Sequence, residues 1–247
     1  MICPFVNPFS LVKNESMYLK GKTALITGVS KGLGKAFAEA LLNQGTKVIG
    51  WGRTAPDFEH PNLHFYAVRV QDADEVKRAY LETLEAHGIV DFLINNAGFG
   101  QFALIEDLEA TAWEAMFEVN VKAMFLVSQA WVPDMKYRGS GHIINISSVA
   151  GRTGVAYGTG YNASKFGVAG FSESLFQEVR KAGVKVSTIY PGAVSTGFFD
   201  EIPGTGAHDN MLKPEEVAST VVHILNTPPN CLIREVEIRP LNSKPPV

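Results

Sequence analysis

One pattern constrains the fold more than any other: short runs rich in valine and isoleucine alternate along the chain with longer stretches of helical periodicity. The short runs fall at Thr23–Thr27, Lys47–Trp51, His64–Val70, Asp91–Asn95, His142–Ser147, Lys185–Tyr190 and Val236–Arg239. Helical spacing of apolar residues marks 33–44, 73–87, 112–138, 158–182 and 214–226. Strands that alternate with helices pair in parallel, because each crossover returns the chain to the same end of the sheet. The runs at 92–96 and 143–147 are apolar along most of their length, as suits strands covered on both faces.

A chain of 247 residues fits one such domain and leaves little room for a second. It contains no internal repeat, linker or low-complexity stretch. The Gly- and Pro-containing segment 197–214 is the one long irregular stretch, and it is the expected substrate loop. Residues 1–19 read as an arm ahead of a domain over 20–247, with Met17 a possible natural start. Pro4 and Pro8 interrupt that arm, and it lacks the basic start of a signal peptide.

Charge and composition narrow the partners. A formal net charge of −3 gives a nucleic-acid partner no electrostatic support. The longest membrane candidate, Ala123 to Val132, is broken by Ser128 and Gln129 and falls short of the roughly 18 apolar residues a span needs. Cys3 and Cys231 make neither a disulfide framework nor a zinc-ligand spacing, which leaves reduced thiols in the cytoplasm as the expectation. The six histidines show no ligand spacing, so no catalytic metal is expected.

Two clusters carry chemistry. After the first strand comes Thr27-Gly28-Val29-Ser30-Lys31-Gly32-Leu33-Gly34, running straight into a helical pattern. Glycines there let the backbone turn tightly and approach a pyrophosphate, and the helix N-terminus offers free N–H groups. The spacing is G-x3-G-x-G rather than the general G-x-G-x-x-G. The second strand ends Gly50-Trp51-Gly52-Arg53-Thr54, with no carboxylate from Lys47 to Pro56. An NAD-preferring site places an acid there for the ribose 2′-hydroxyl, whereas an arginine suits a 2′-phosphate. Arg53, with Lys31 beside it, therefore predicts NADP(H).

The second cluster is Tyr161-Asn162-Ala163-Ser164-Lys165 at the start of a helical run. Positions four apart share a helix face, so phenol and ammonium point into one site. A cation there is expected to lower the phenol pKa from its ordinary value near 10. Tyr18 and Lys22 repeat the spacing but straddle Gly21 with no helix to align them, and they are set aside. Ser147 and Ser148 end one strand and Asn95-Asn96-Ala97-Gly98 another, at the sheet edge where such folds bind ligands. Asn120 lies within a long helical stretch where it has poor helix propensity; taken alone, a satisfied core amide explains it.

Assembled, these residues resemble the short-chain dehydrogenase/reductase family over nearly all of 20–240. The family's TGxxxGxG matches Thr27 to Gly34, its NNAG matches Asn95 to Gly98, and its YxxxK matches Tyr161 to Lys165. The resemblance implies a single-domain Rossmann-type α/β fold, a doubly wound parallel sheet of about seven strands in order 3-2-1-4-5-6-7. It also implies an oxidoreductase transferring a hydride between NADP(H) and a small alcohol or carbonyl compound.

By this resemblance Tyr161 exchanges the proton, Ser148 orients the substrate oxygen, and Lys165 binds the nicotinamide ribose and lowers the Tyr161 pKa. Ser148 is preferred to Ser147 because the family's serine lies 13 residues before its tyrosine, and 161 − 13 = 148. Asn120 corresponds to the asparagine that holds a relay water. Gly28, Ser30, Lys31, Gly32, Leu33, Gly34, Arg53, Val70, Asn96, Ala97 and Gly98 are then cofactor residues, as are Pro191, Gly192, Val194 and Thr196 around the Pro-Gly turn. Arg69 departs from the family pattern, standing where an aspartate usually contacts the adenine.

Three expectations remain. Phe99, Phe102, Val155, Tyr157, Phe198 and Phe199 are the expected pocket walls. A homodimer or homotetramer is expected through segments 112–138 and 158–182, because Phe125, Val168, Phe171, Leu175 and Phe176 are too many for one helix face. The competing reading is an NADP(H)-binding sensor without turnover, since fold alone never proves activity.

Overall fold

The computed structural model describes residues 18–198 and 208–242. The arm before Tyr18, with Cys3, lies outside them, as do Phe199 and the rest of 199–207. The described chain forms β1 (Thr23–Thr27), α1 (Gly32–Leu42), β2 (Lys47–Gly52), β3 (Leu63–Ala67), α2 (Ala73–His87) and β4 (Phe92–Asn95). It continues with α3 (Ala110–Phe117), a π turn (Glu118–Lys122), α4 (Ala123–Arg138), β5 (Gly141–Ile146) and α5 (Thr159–Val179). The last elements are β6 (Val184–Pro191), α6 (Pro214–Leu225) and β7 (Glu235–Ile238).

The seven strands pair in parallel in the order β3-β2-β1-β4-β5-β6-β7. Both faces are covered, which is why β1 and β4 are buried along their whole length. Alternate residues of β1 serve the two sides. Ala24 and Ile26 join Phe37, Leu41, Val217 and Val221 beneath α1 and α6. Leu25 joins Trp51, Val127, Trp131, Leu175 and Val179 beneath α2, α4 and α5. Trp51 also donates its indole N–H to the buried Thr83 hydroxyl at 3.2 Å.

Two differences from the sequence reading concern the long helices. The stretch 112–138 is two helices joined by a π turn, and Asn120 lies in that turn. Val168 and Leu175 are buried inside the chain, so they are unavailable to a partner, while Phe125 and Phe166 are 43% and 47% exposed. The surplus of apolar residues on these helices is therefore smaller than the sequence suggested: Phe125 was expected there and Phe166 was not.

Candidate active site

The strand order reverses between β1 and β4, and the carboxyl ends of strands beside such a switch point form a crevice. On one side of it lies the turn between β1 and α1. Gly28 adopts φ +74°, open to glycine and costly for other residues. Gly34 sits so close to that turn that a Cβ would lie 1.9 Å from the Gly28 carbonyl oxygen. The turn is braced from β4. Asn96 N and Ala97 N both donate to Thr27 Oγ1 at 3.0 Å, and Asn96 Nδ2 donates to the carbonyls of Thr27 and Gly28 at 3.0 and 3.1 Å.

At the start of α1, Lys31 is extended, no side chain caps the helix, and no acid occupies the first turn. The N-terminal amides are thus left for an anion, and the glycine cradle fits a dinucleotide pyrophosphate. Arg53 and Lys31 are exposed, and among the described residues no ion pair engages either. Arg69 is occupied: its Nε meets Glu75 at 2.6 Å and its fork meets Asp72 at 3.1 Å. Thr196 borders the same turn, its Cγ2 standing 3.4 Å from where a Cβ of Gly32 would be. Leu33 packs partly into the core, and the side chains of Val70 and Val194 are buried in it. Val70 also lines a small cavity with Thr27, Ala97 and Asn120. Ser30 lines the edge half-buried and Gly98 lies exposed there, and Gly192 is fixed by its N–H on Ile238 O at 2.7 Å.

On the other side, Tyr161 and Lys165 occupy successive turns of α5, both buried. Lys165 Nζ lies 5.8 Å from the centre of the Tyr161 ring and donates to Ile146 O at 3.1 Å. Ser148 caps a short 3-10 turn over Val149–Gly151, accepting from Ala150 N at 3.1 Å and donating to Pro191 O at 3.4 Å. Its neighbour turns the opposite way: Ser147 is buried and donates to Lys165 O at 3.0 Å. Tyr18 is 44% exposed in a turn and Lys22 pairs with Asp91, so that decoy lies apart from the site.

Burial dominates the titration of this pair. It pushes the Tyr161 phenol up to about 12, against a smaller downward pull from its hydrogen bond with Ser148. It draws Lys165 down to about 8. The phenol is therefore raised where a neighbouring cation was expected to lower it, because burial outweighs the one favourable contact, from Ser148.

Asn120 is fully engaged. Its Oδ1 accepts from Phe99 N at 3.0 Å, and its Nδ2 donates to Phe99 O and Ser164 Oγ, each at 2.9 Å. Ser164 in turn donates to Tyr161 O at 2.7 Å. The π turn thus delivers Asn120 as a brace between the strand-end loop and α5. Such turns break the regular ladder and recur at functional sites.

Several contributors escaped the sequence reading. Asn162 and Ser164 looked like spacers inside Tyr-x-x-x-Lys. Asn162 Nδ2 instead donates to Ala150 O and Thr153 O at 2.7 and 2.8 Å, tying α5 to the Ser148 turn. Arg152, just beyond that turn, stacks over Tyr190 and pairs with Glu235 and with Glu237 at 3.7 Å on the edge strand. Gly100 allows two rings to close over Tyr161. Phe102 and Phe198 lie 5.2 and 5.5 Å from it, and a Cβ at Gly100 would come within about 3 Å of all three rings. Phe99 packs on the same cluster, whereas Val155 and Tyr157 are exposed at its rim. Only the tight approach at Gly100 could have been suspected from sequence, from a glycine set between two phenylalanines.

Among the described residues no group of three His, Cys, Asp or Glu is placed to hold a metal, and no helix is long and apolar enough to cross a membrane. The family model described as short chain dehydrogenase matches residues 22–205. An uncharacterized oxidoreductase of Staphylococcus saprophyticus is 34% identical, with 90% of this chain and 99% of the relative covered. Dehydrogenase/reductase SDR family member 11 of Bos taurus is 33% identical, covering 90% and 96%. Among solved structures, an alcohol dehydrogenase from Thermococcus sibiricus complexed with 5-hydroxy-NADP superposes with a TM-score of 0.82 at 28% identity, over 92% of this chain and 99% of that one. A serine dehydrogenase complexed with NADP+ gives 0.84 at 29% identity, over 91% and 98%.

Proposed function

The chain belongs to the short-chain dehydrogenase family, and from that premise we propose that it is an NADP(H)-dependent oxidoreductase interconverting an alcohol and a carbonyl compound. The observation that carries this reading is the meeting of Tyr161, Lys165 and Ser148 at the end of a crevice whose other wall is a phosphate-accepting glycine turn. Gly28, Gly32 and Gly34 would receive the pyrophosphate, Arg53 and Lys31 the 2′-phosphate, and Lys165 the nicotinamide ribose. NADP(H), when bound, supplies or takes the hydride.

The residues of the chain handle the proton and the geometry. Tyr161 holds its proton at neutral pH, the state needed to protonate a carbonyl oxygen as reduction proceeds. Ser148 donates a hydrogen bond to the same oxygen, and its orientation is set by the Ala150 amide. In oxidation Tyr161 must accept the proton, and the positive charge of Lys165 on the next turn favours that anion. The aromatic cover excludes water around the reacting atoms.

Mixing the protein with NADPH and a panel of ketones and aldehydes tests the reading through the loss of NADPH absorbance. Consumption with at least one carbonyl is expected. Tight NADPH binding with no turnover on any of them would favour the sensor reading. We further propose a cytoplasmic dimer or tetramer with α4 and α5 at its interface, where Phe125 and Phe166 stand exposed. A monomer in sedimentation at micromolar concentration would overturn it.

A further inference from the structure

We infer that the substrate of this site is an apolar carbonyl compound or alcohol that carries no anionic group. The inference rests on the carbonyl–alcohol reading above and concerns which member of that class the pocket accepts. Its first ground is the lining. Tyr161 is enclosed by Phe102 and Phe198, with Phe99 and Leu108 packed on the same cluster, and the rim continues into Val155 and Tyr157, 46% and 57% exposed. The backbone of Tyr157 accepts from Ala103 N at 2.9 Å, which holds the two sides of that rim together.

The second ground is charge. From Phe99 to Val121 the sequence has five carboxylates (Glu106, Asp107, Glu109, Glu114 and Glu118) and no lysine or arginine. The stretches from Thr153 to Ser164 and from Gly192 to Phe198 have no charged residue at all. These three stretches supply the Tyr161 cover, through Phe102, Phe198 and the start of α5. The cations that border these stretches include Lys122, paired with Glu118 at 2.7 Å, and Lys213, exposed at the start of α6. Arg152 is paired with Glu235 and Glu237, and Lys165 is buried with its ammonium on Ile146 O. A carboxylate or phosphate entering among these rings would lose its hydration without a counter-charge beside it and would meet the field of Glu106, Asp107 and Glu109, which flank Leu108 on the cluster.

A matched set of aryl ketones tests this: 4-methylacetophenone, the 4-aminomethyl analogue and 4-acetylbenzoate, which share a skeleton and differ in charge at one position. With NADPH saturating, kcat/KM for 4-acetylbenzoate should fall at least tenfold below the neutral ketone, and below the ammonium analogue as well. The deficit should shrink in high salt, because the acids act through screened fields. Equal or better use of 4-acetylbenzoate would overturn the inference while leaving the oxidoreductase reading intact. Calorimetric binding of the same three compounds to the protein–NADPH complex must give the same ranking. If no ketone is turned over, the function reading fails on its own, and a carboxylate that binds as well as its neutral analogue would still sink the charge argument.

Discussion

At the glycine turn, Gly34 is confined by a carbonyl oxygen 1.9 Å from where its Cβ would sit. At the opposite end of the crevice, Tyr161 is confined by Phe102 and Phe198, rings brought from segments distant in sequence. The first constraint is local: strand, turn and helix follow one another within a dozen residues. Its signature is the lack of side chains, which one sequence displays directly. The second is tertiary, and its members gain meaning only when three chain segments meet. One end is built to leave room for a ligand's phosphates, the other to deny room to water. Changes at the first should therefore alter binding, and changes at the second should alter turnover.

The largest expected effect tests that division at the catalytic end. Tyr161→Phe removes one oxygen and keeps the ring that Phe102 and Phe198 pack against. Turnover should fall about 10²- to 10⁴-fold, the usual worth of general acid–base catalysis. NADPH affinity, measured by calorimetry, should stay within a few-fold; a matching loss of affinity would erase the distinction between the two ends.

Next in size is cofactor preference. Arg53→Ala should erode most of a tenfold to several-hundredfold preference for NADP(H), since each charge-assisted hydrogen bond contributes roughly 1.5–3 kcal/mol. Gly52→Asp should go further by repelling the 2′-phosphate. Its Cβ would stand 3.8 Å from Gly28, ordinary contact, so the fold should accept it. Paired titrations with NADPH and NADH at fixed substrate give the ratio, and a wild type that prefers NADH would return Arg53 to a solvated charge.

Gly34→Ala probes the same end through stability. Overpacking against backbone typically costs about 1–3 kcal/mol, so urea midpoints should fall and NADPH binding should weaken with them. An alanine variant of native stability would mean that α1 can shift away from β1 freely.

The smallest effect is on pH dependence. Lys165 titrates near 8 in the folded chain against 10.5 ordinarily, so between those values the unfolded chain binds more protons. Stability should rise with pH through that window, and the rise should be absent in Lys165→Met. Tyr161 works the other way, with stability lost between about 10 and 12 because the folded phenol keeps its proton longer. Denaturation midpoints from pH 7 to 10 separate the two, and a flat difference between wild type and Lys165→Met would contradict the buried ammonium.

What the sequence made legible follows the same division. Helix α2 matches its expected bounds, 73–87, because Asp72 caps its start through Asp74 N and Glu75 N and Gly88 stops it at φ +74°. The strand order and the placement of Tyr161, Lys165 and Ser148 at one edge followed from alternation and from the family motifs. Strand β3 ends at Ala67 rather than Val70, because the chain leaves the ladder as Val68 and Val70 turn into the core. The π turn left no mark, since widening a helix by one residue changes no composition. The dimer argument overcounted because periodicity cannot tell a residue buried by its own chain, such as Val168, from one left for a partner.

That wide turn has a geometric consequence. A residue inserted into a helix acts as a phase shift: each residue advances the spiral by about 100°, so everything after the insertion faces a direction that a regular helix would not give it. Before the insertion, Met116 packs beneath Gly160 and Tyr161; after it, Val127 and Trp131 fill the core under α4. Removing any one residue between Glu118 and Lys122 would bring the two halves back into phase, and both sets of contacts could no longer be satisfied at once. The turn is therefore kept at its length for the rotation it imparts, and substitutions there, Asn120 apart, should be tolerated far better than a deletion.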